Sequence, residues 1–145
     1  MYYSRMNSTA ATQLSFFQLL KAAHALEDRL ESSLAEVGLS SAKFGALNQL
    51  VQAREPLSLS ELAARVACVR SNITQLVDRL ESDGLVRRVS DPEDRRSVRA
   101  EVTPLGKERH SAGAARVDAI QKGFAETIGE VDKDALERAL SALRP

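Results

Sequence analysis

Residues 71–103 read SNITQLVDRLESDGLVRRVSDPEDRRSVRAEVT, and the order of signals within them decides the fold. Ile73, Leu76, Val77 and Leu80 recur at the three- and four-residue spacing of one helical face. Ser71 is placed to cap this helix at its start. Gly84 is placed to end it, since glycine enters the left-handed conformation of a helix terminus without a Cβ penalty. Two strands are predicted next, over 85–90 and 97–103, with Val98, Ala100 and Val102 alternating against Arg99, Glu101 and Thr103. The loop between them, Asp91 to Arg96, ends in two adjacent arginines.

Working toward the N-terminus, Ser60 caps a short helix from Glu61 to Ala67 with Leu62, Ala63 and Val66 inward, and Cys68-Val69-Arg70 forms a tight turn. The resulting order is helix, turn, helix, wing. Before it lie an extended link, Leu57 to Leu59, and a helix capped by Ser40 or Ser41. That helix carries Phe44, Leu47, Leu50 and Val51 and stops ahead of Pro56, because the residue before a proline disfavours helical geometry. Leu14, Phe17, Leu20, Ala23, Leu26, Leu30, Leu34 and Val37 make one stripe on a first helix over 12–37, which Gly38 terminates. Toward the C-terminus, Thr103-Pro104 starts a long helix to about Glu130 with Val117, Ile120, Phe124 and Ile128 inward. A last helix carries Ala135, Leu136, Ala139, Leu140 and Leu143. The fold class expected is mainly α with a small β-hairpin wing. A winged helix-turn-helix over 40–103 is flanked by helices over 12–37 and 105–145, all in one unit of 145 residues.

Composition narrows the function classes. Twenty Lys+Arg balance twenty Asp+Glu, so net charge alone does not announce a nucleic-acid partner. Fifteen of the twenty bases are arginine, however, the side chain suited to bidentate contact with phosphates and guanines. Any positive surface must therefore be a narrow, patterned stripe. A single cysteine, Cys68, with two scattered histidines, His24 and His110, offers neither an internal disulfide nor metal-ligand spacing. No metal and no cofactor are expected. No apolar run is long enough to span a membrane and the first residues lack a secretory pattern, so a cytoplasmic protein, on the nucleoid when bound to DNA, is expected. There is no phosphate-cradling glycine loop and no nucleophile–base spacing, which argues against an enzyme.

The helix after the turn presents Ser71, Thr74, Gln75, Asp78 and Ser82 opposite its apolar stripe, with Arg70 and Arg79 flanking them. These short polar groups suit close approach to base edges, Gln75 offering a bidentate amide to adenine. Asp78 would accept from a cytosine amino group or pair with an arginine such as Arg79. In the loop, Asp94 lies two residues before Arg96, placing its carboxylate to brace that guanidinium for entry into a narrow minor groove. Arg95, Arg87, Arg88 and Arg99 are then candidates for flanking phosphates.

Four pieces of this chain fall together in order and spacing: Leu76-Val77-Asp78-Arg79-Leu80-Glu81, Gly84-Leu85-Val86, Asp91-Pro92-Glu93-Asp94-Arg95-Arg96-Ser97-Val98, and Thr103-Pro104-Leu105-Gly106. In them the sequence resembles the MarR (multiple antibiotic resistance regulator) family of winged-helix transcriptional regulators, over nearly its whole length. The resemblance implies a DNA-binding regulator, usually a repressor. It places Asp94 and Arg96 on the family's wing acid and minor-groove arginine, and the helix of 71–83 on its major-groove reader. It also implies a site for a small aromatic or phenolic effector, toward which Phe16, Phe17, His24 and Phe44 are the residues to consider.

The surplus apolar surface on the first and last two helices points to a homodimer, whose two reading helices would meet successive major grooves of double-stranded DNA roughly 34 Å apart. Cys68, between Arg65 and Arg70, is a candidate redox switch, as nearby cations favour the thiolate. The competing reading from another class is a winged-helix module that binds a protein and not DNA.

Overall fold

The computed structural model describes residues 2–66 and 72–145, with side chains described from Ser15 on. Among the described residues six helices and three strands follow in the order α1 Tyr2–Ala35, α2 Ser41–Ala53, β1 Leu57–Ser58, α3 Leu59–Arg65, α4 Ile73–Ser82, β2 Val86–Ser90, β3 Val98–Val102, α5 Pro104–Thr127 and α6 Lys133–Ala142.

Local chemistry sets most of the boundaries. Ser40 begins α2 by accepting from the Lys43 N–H at 3.1 Å, and Thr103 begins α5 by accepting from the Gly106 N–H at 3.0 Å, with Pro104 in the first turn where no N–H is needed. Gly38 and Gly84 hold φ of 73° and 76°, ending α1 and α4 in the left-handed region.

Four boundaries differ from expectation. The first helix starts ten residues earlier, at Tyr2 instead of Thr12, and the long helix stops at Thr127. The link at Leu57 is a strand: Leu57 pairs with Ala100 and Ser58 with Arg99, making an antiparallel sheet in the order β1-β3-β2. The cap of α3 is accordingly Ser58, which accepts from the Glu61 N–H at 3.1 Å, and not Ser60. The expected turn at Cys68-Val69-Arg70 and the cap at Ser71 lie outside the described residues; Asn72 occupies the cap position of α4, with no side-chain hydrogen bond.

The core sits where α2, α3 and α4 close over the sheet. Leu47 and Leu50 of α2, Leu62 of α3, and Leu76, Val77 and Leu80 of α4 meet Leu57, Leu85, Val86 and Ala100, and Leu34 of α1 joins them. Each such leucine removed from water contributes about 1.5–3 kcal/mol. The helices at the chain's ends contribute little to this core. Leu30, Val37 and Val117 pack against it, but Phe16 and Phe17 are each 58% exposed, Leu143 is 66% exposed, and α6 has no buried residue. Phe124, expected inward, is exposed as well. Among the described residues no helix is long and apolar enough to cross a membrane.

Candidate nucleic-acid interface

With Leu76, Val77 and Leu80 turned into the core, a hundred degrees per residue leaves Thr74, Gln75, Asp78, Arg79 and Ser82 on the opposite side of α4, all exposed. Immediately beyond Gly84 the chain turns into the β2–β3 hairpin, in which Val86 pairs with Val102 and Ser90 with Val98. The polar face of α4 and the hairpin loop thus belong to one continuous segment of 30 residues, braced from beneath by one core.

The loop is a closed structure. Asp91 donates its N–H to the Ser97 carbonyl, and Ser97 donates its own to the Asp94 carbonyl, both at 3.0 Å. Two carboxylates cap the turns inside: Asp91 accepts from the Glu93 N–H and Asp94 from the Arg96 N–H, again at 3.0 Å. Asp94 therefore braces Arg96 through its backbone and not, as its spacing suggested, through its guanidinium. The loop is tied to the rest of the sheet by Arg99, whose Nε donates to Asp91 at 3.1 Å and whose Nη1 donates to the Pro56 carbonyl at 3.2 Å. The Glu93 N–H, and after it the Arg99 guanidinium, hold the Asp91 carboxyl below the usual carboxylate range. Arg99, expected at a phosphate, is thus engaged as an anchor of the wing.

The remaining arginines divide in the same way. Arg87 lies directly across the ladder from Glu101 and bonds it at 2.7 Å, yet its side chain remains 67% exposed and able to exchange partners. Arg88 is held at both ends of its guanidinium, by Asp78 at 2.5 Å and Glu81 at 2.9 Å, so that it is engaged within the chain where a phosphate contact was expected of it. Its carboxylate neighbours, Asp78 first, raise its pKa above the ordinary value. Asp78 consequently pairs with Arg88 and not with Arg79. No ion pair among the described residues engages Arg79, Arg95 or Arg96, all of them exposed. Of the other candidates, Arg70, Ser71 and Cys68 lie outside the described residues.

The residues considered for an effector are not brought together within one chain. Phe17 packs edge-on against Phe16 in the exposed part of α1, and His24 is exposed. Phe44 instead stacks on His110 of α5, rings 5.4 Å apart and 3° from parallel, where a Cβ on Gly113 would come within 2.8 Å of the Phe44 ring. A cleft of about 380 Å³ lies elsewhere, lined by Leu50, Val51, Arg54, Glu55, Pro56, Glu101, Val102 and Lys107.

His110 was visible in the sequence only as one of two scattered histidines. Its Nε2 lies 2.9 Å from Asn48 Oδ1, a contact that a neutral ring makes by donating. Burial pushes its pKa below the ordinary histidine value. In this case the unfolded chain binds the extra proton first as pH falls, so the contribution of neutral His110 to stability is complete above the ordinary value near ~6.5 and is lost below it. Between pH 7 and pH 5 the melting temperature of the wild type is expected to fall by more than that of His110→Phe, which keeps the stack and cannot titrate. Parallel curves for the two proteins would contradict this.

Comparison with known proteins agrees with this geometry. The MarR family model matches residues 39–98. The HTH-type transcriptional repressor YetL of Bacillus subtilis is 36% identical over 104 residues, 71% of this chain and 62% of YetL. Across the first curated relatives matched, this chain spans 47% to 62% of their length. Among solved structures, Sco3205, a MarR family transcriptional regulator from Streptomyces coelicolor in complex with DNA, is 30% identical with a TM-score of 0.72, over 94% of this chain and 89% of that one. The transcriptional repressor CouR, bound to a 23-mer DNA duplex, is 26% identical with a TM-score of 0.77, over 92% and 94% of the two chains.

Proposed function

The chain belongs to the MarR family, and from that membership we propose that it is a transcriptional repressor that binds a pseudo-palindromic operator in double-stranded DNA as a symmetric homodimer. The observation that carries this reading is the pairing of the exposed polar face of α4 with a wing whose Arg95 and Arg96 are left uncommitted while Arg88 and Arg99 are spent on internal ties. Four backbone and side-chain hydrogen bonds hold the loop's main chain in shape before any partner arrives, so little backbone ordering entropy is lost when the two arginines engage.

In this proposal Thr74, Gln75 and Arg79 read or flank base edges in the major groove, Arg96 enters the adjacent minor groove, and Arg87 and Arg95 meet phosphates. Arg70 and Ser71 belong to the same reading face by their place in the sequence. The homodimer is supported by the apolar side chains that one chain leaves exposed on its end helices, Phe16, Phe17, Leu20, Phe124, Leu140 and Leu143. Contact between copies through α1, α5 and α6 would cover them and set two α4 helices about one turn of DNA apart, ~34 Å.

The test is a binding titration on DNA from upstream of the protein's own gene at several salt concentrations, with sedimentation of the complex to count chains per duplex. Affinity is expected to fall linearly on a log–log plot, with a slope of about −0.9 for each phosphate neutralised, and two chains are expected per site. Failure to bind any fragment at low salt would move the protein-binding module to first place.

A further inference from the structure

We propose that Arg88 is a positioning residue for DNA binding: it masks the carboxylates of Asp78 and Glu81 on α4 and fixes that helix against the wing, without itself touching DNA. The proposal rests on the DNA-binding reading above.

The alternation of β2 puts Arg88 on the same side as buried Val86, and its ladder partner is buried Ala100, so the side chain leaves the core-facing surface of the hairpin and runs up against α4. There it meets two acids spaced i and i+3 on one helical face. One terminal nitrogen donates to Asp78 Oδ1 at 2.5 Å, the other to Glu81 Oε1 at 2.9 Å, and the Arg88 backbone N–H donates to Glu81 Oε2 at 3.1 Å. Glu81 thereby grips both the main chain and the side chain of one strand residue, which fixes the hairpin relative to the helix in position and in angle. Lysine has no fork with which to reproduce this.

The electrostatic part is separate. Asp78 lies between Gln75 and Ser82 on the exposed face, where phosphates would draw near, and its side chain is 58% exposed. An unmasked carboxylate there opposes the approach of any DNA, whatever its sequence. Arg88 supplies a positive charge that offsets it in part, shared with Glu81, from a side chain only 27% exposed and committed on two sides.

The experiment compares wild type, Arg88→Met, Asp78→Asn and the double variant on a fragment that the wild type binds, at several salt concentrations, with melting curves for each. Arg88→Met is expected to weaken binding about tenfold or more with its salt slope unchanged. Asp78→Asn should bind at least as well as wild type, and the double variant should regain most of what Arg88→Met loses. A slope shallower by about 1.8 for Arg88→Met, the loss of one phosphate contact per chain in a dimer, would overturn the proposal by making Arg88 a phosphate ligand. A double variant as weak as Arg88→Met would do the same for the masking role. Should Arg88→Met fail to fold, Asp78→Asn decides: weakened binding would make Asp78 a reader of bases. A wild type that binds no fragment brings down the DNA-binding reading itself, an outcome distinct from all of these.

Discussion

Replacing Arg96 with alanine is expected to weaken operator binding by about 30- to 100-fold while leaving the melting temperature nearly unchanged. Arg96 is exposed, no ion pair among the described residues uses its guanidinium, and its one loop contact is made by its backbone N–H to Asp94, which alanine retains. Surface substitutions of that kind stay within about 0.5 kcal/mol of stability. In a dimer the substitution removes two groove contacts at once. At roughly 1–1.4 kcal/mol for each, the loss of about 2–2.8 kcal/mol corresponds to that range of affinity. The checks are the titration described above and a thermal melt on the same samples. An unaltered Kd would take Arg96 out of the interface, and a lowered melting temperature would turn any lost affinity into a folding effect.

The second large effect concerns stability. Gly106 lies in the first turn of α5, and a Cβ built there would stand 2.0 Å from the Leu85 carbonyl oxygen and 2.8 Å from Val102 Cγ2. The carbonyl cannot withdraw freely, because it accepts from the Thr103 N–H at 3.0 Å, and the neighbouring Gly84 carbonyl accepts from the Thr103 hydroxyl at 2.6 Å. Gly106→Ala must therefore push the first turn of α5 off the sheet, against the helix propensity that alanine would otherwise add. A loss of about 3 kcal/mol is expected, at the upper end of overpacking costs, and with it a fall of roughly 10 °C in melting temperature. A variant that melts within 2 °C of wild type, on the same scale of ~3 °C per kcal/mol, would show that the contact relaxes at little cost.

These two residues also mark what the sequence makes legible. Short-range chemistry is easy to read: Gly84 as a left-handed terminus, Thr103-Pro104 as a helix start, and the stripe of Leu76, Val77 and Leu80 each follow from residues within one or two turns of each other. What escaped depended on partners far along the chain. The strand at Leu57–Ser58 exists because β3 lies beside it some forty residues later, and it moves the cap of α3 to Ser58. The signal was present, since Ser58 stands three residues before Glu61 in the spacing of a capping box, but Ser60 offered a nearer cap.

The arginines illustrate the same limit at the site. A helical wheel separates the polar face of α4 from its buried face, and it put Thr74, Gln75 and Arg79 on the exposed side where they are found. It carries no information on which strand residue will cross the helix, so Arg88 resembled every other wing arginine until its two carboxylates were located. Similarly, Asp94 two residues before Arg96 pointed to a contact between the two, which the carboxylate makes with the main chain and not with the guanidinium expected. The Phe44–His110 stack joins residues 66 positions apart, beyond the reach of any local periodicity.

The seat of Gly106 on the Leu85 carbonyl has a mechanical meaning for the molecule. It joins the root of the hairpin to the end of a stiff rod, for α5 has 24 residues, a length of about 36 Å. Rotation by only ~5° at the joint sweeps the far end of such a rod through about 3 Å. In the homodimer proposed above, α5 would act as a lever on the hairpin: the separation at which the distant ends of two such rods are held would bear on the tilt of both wings.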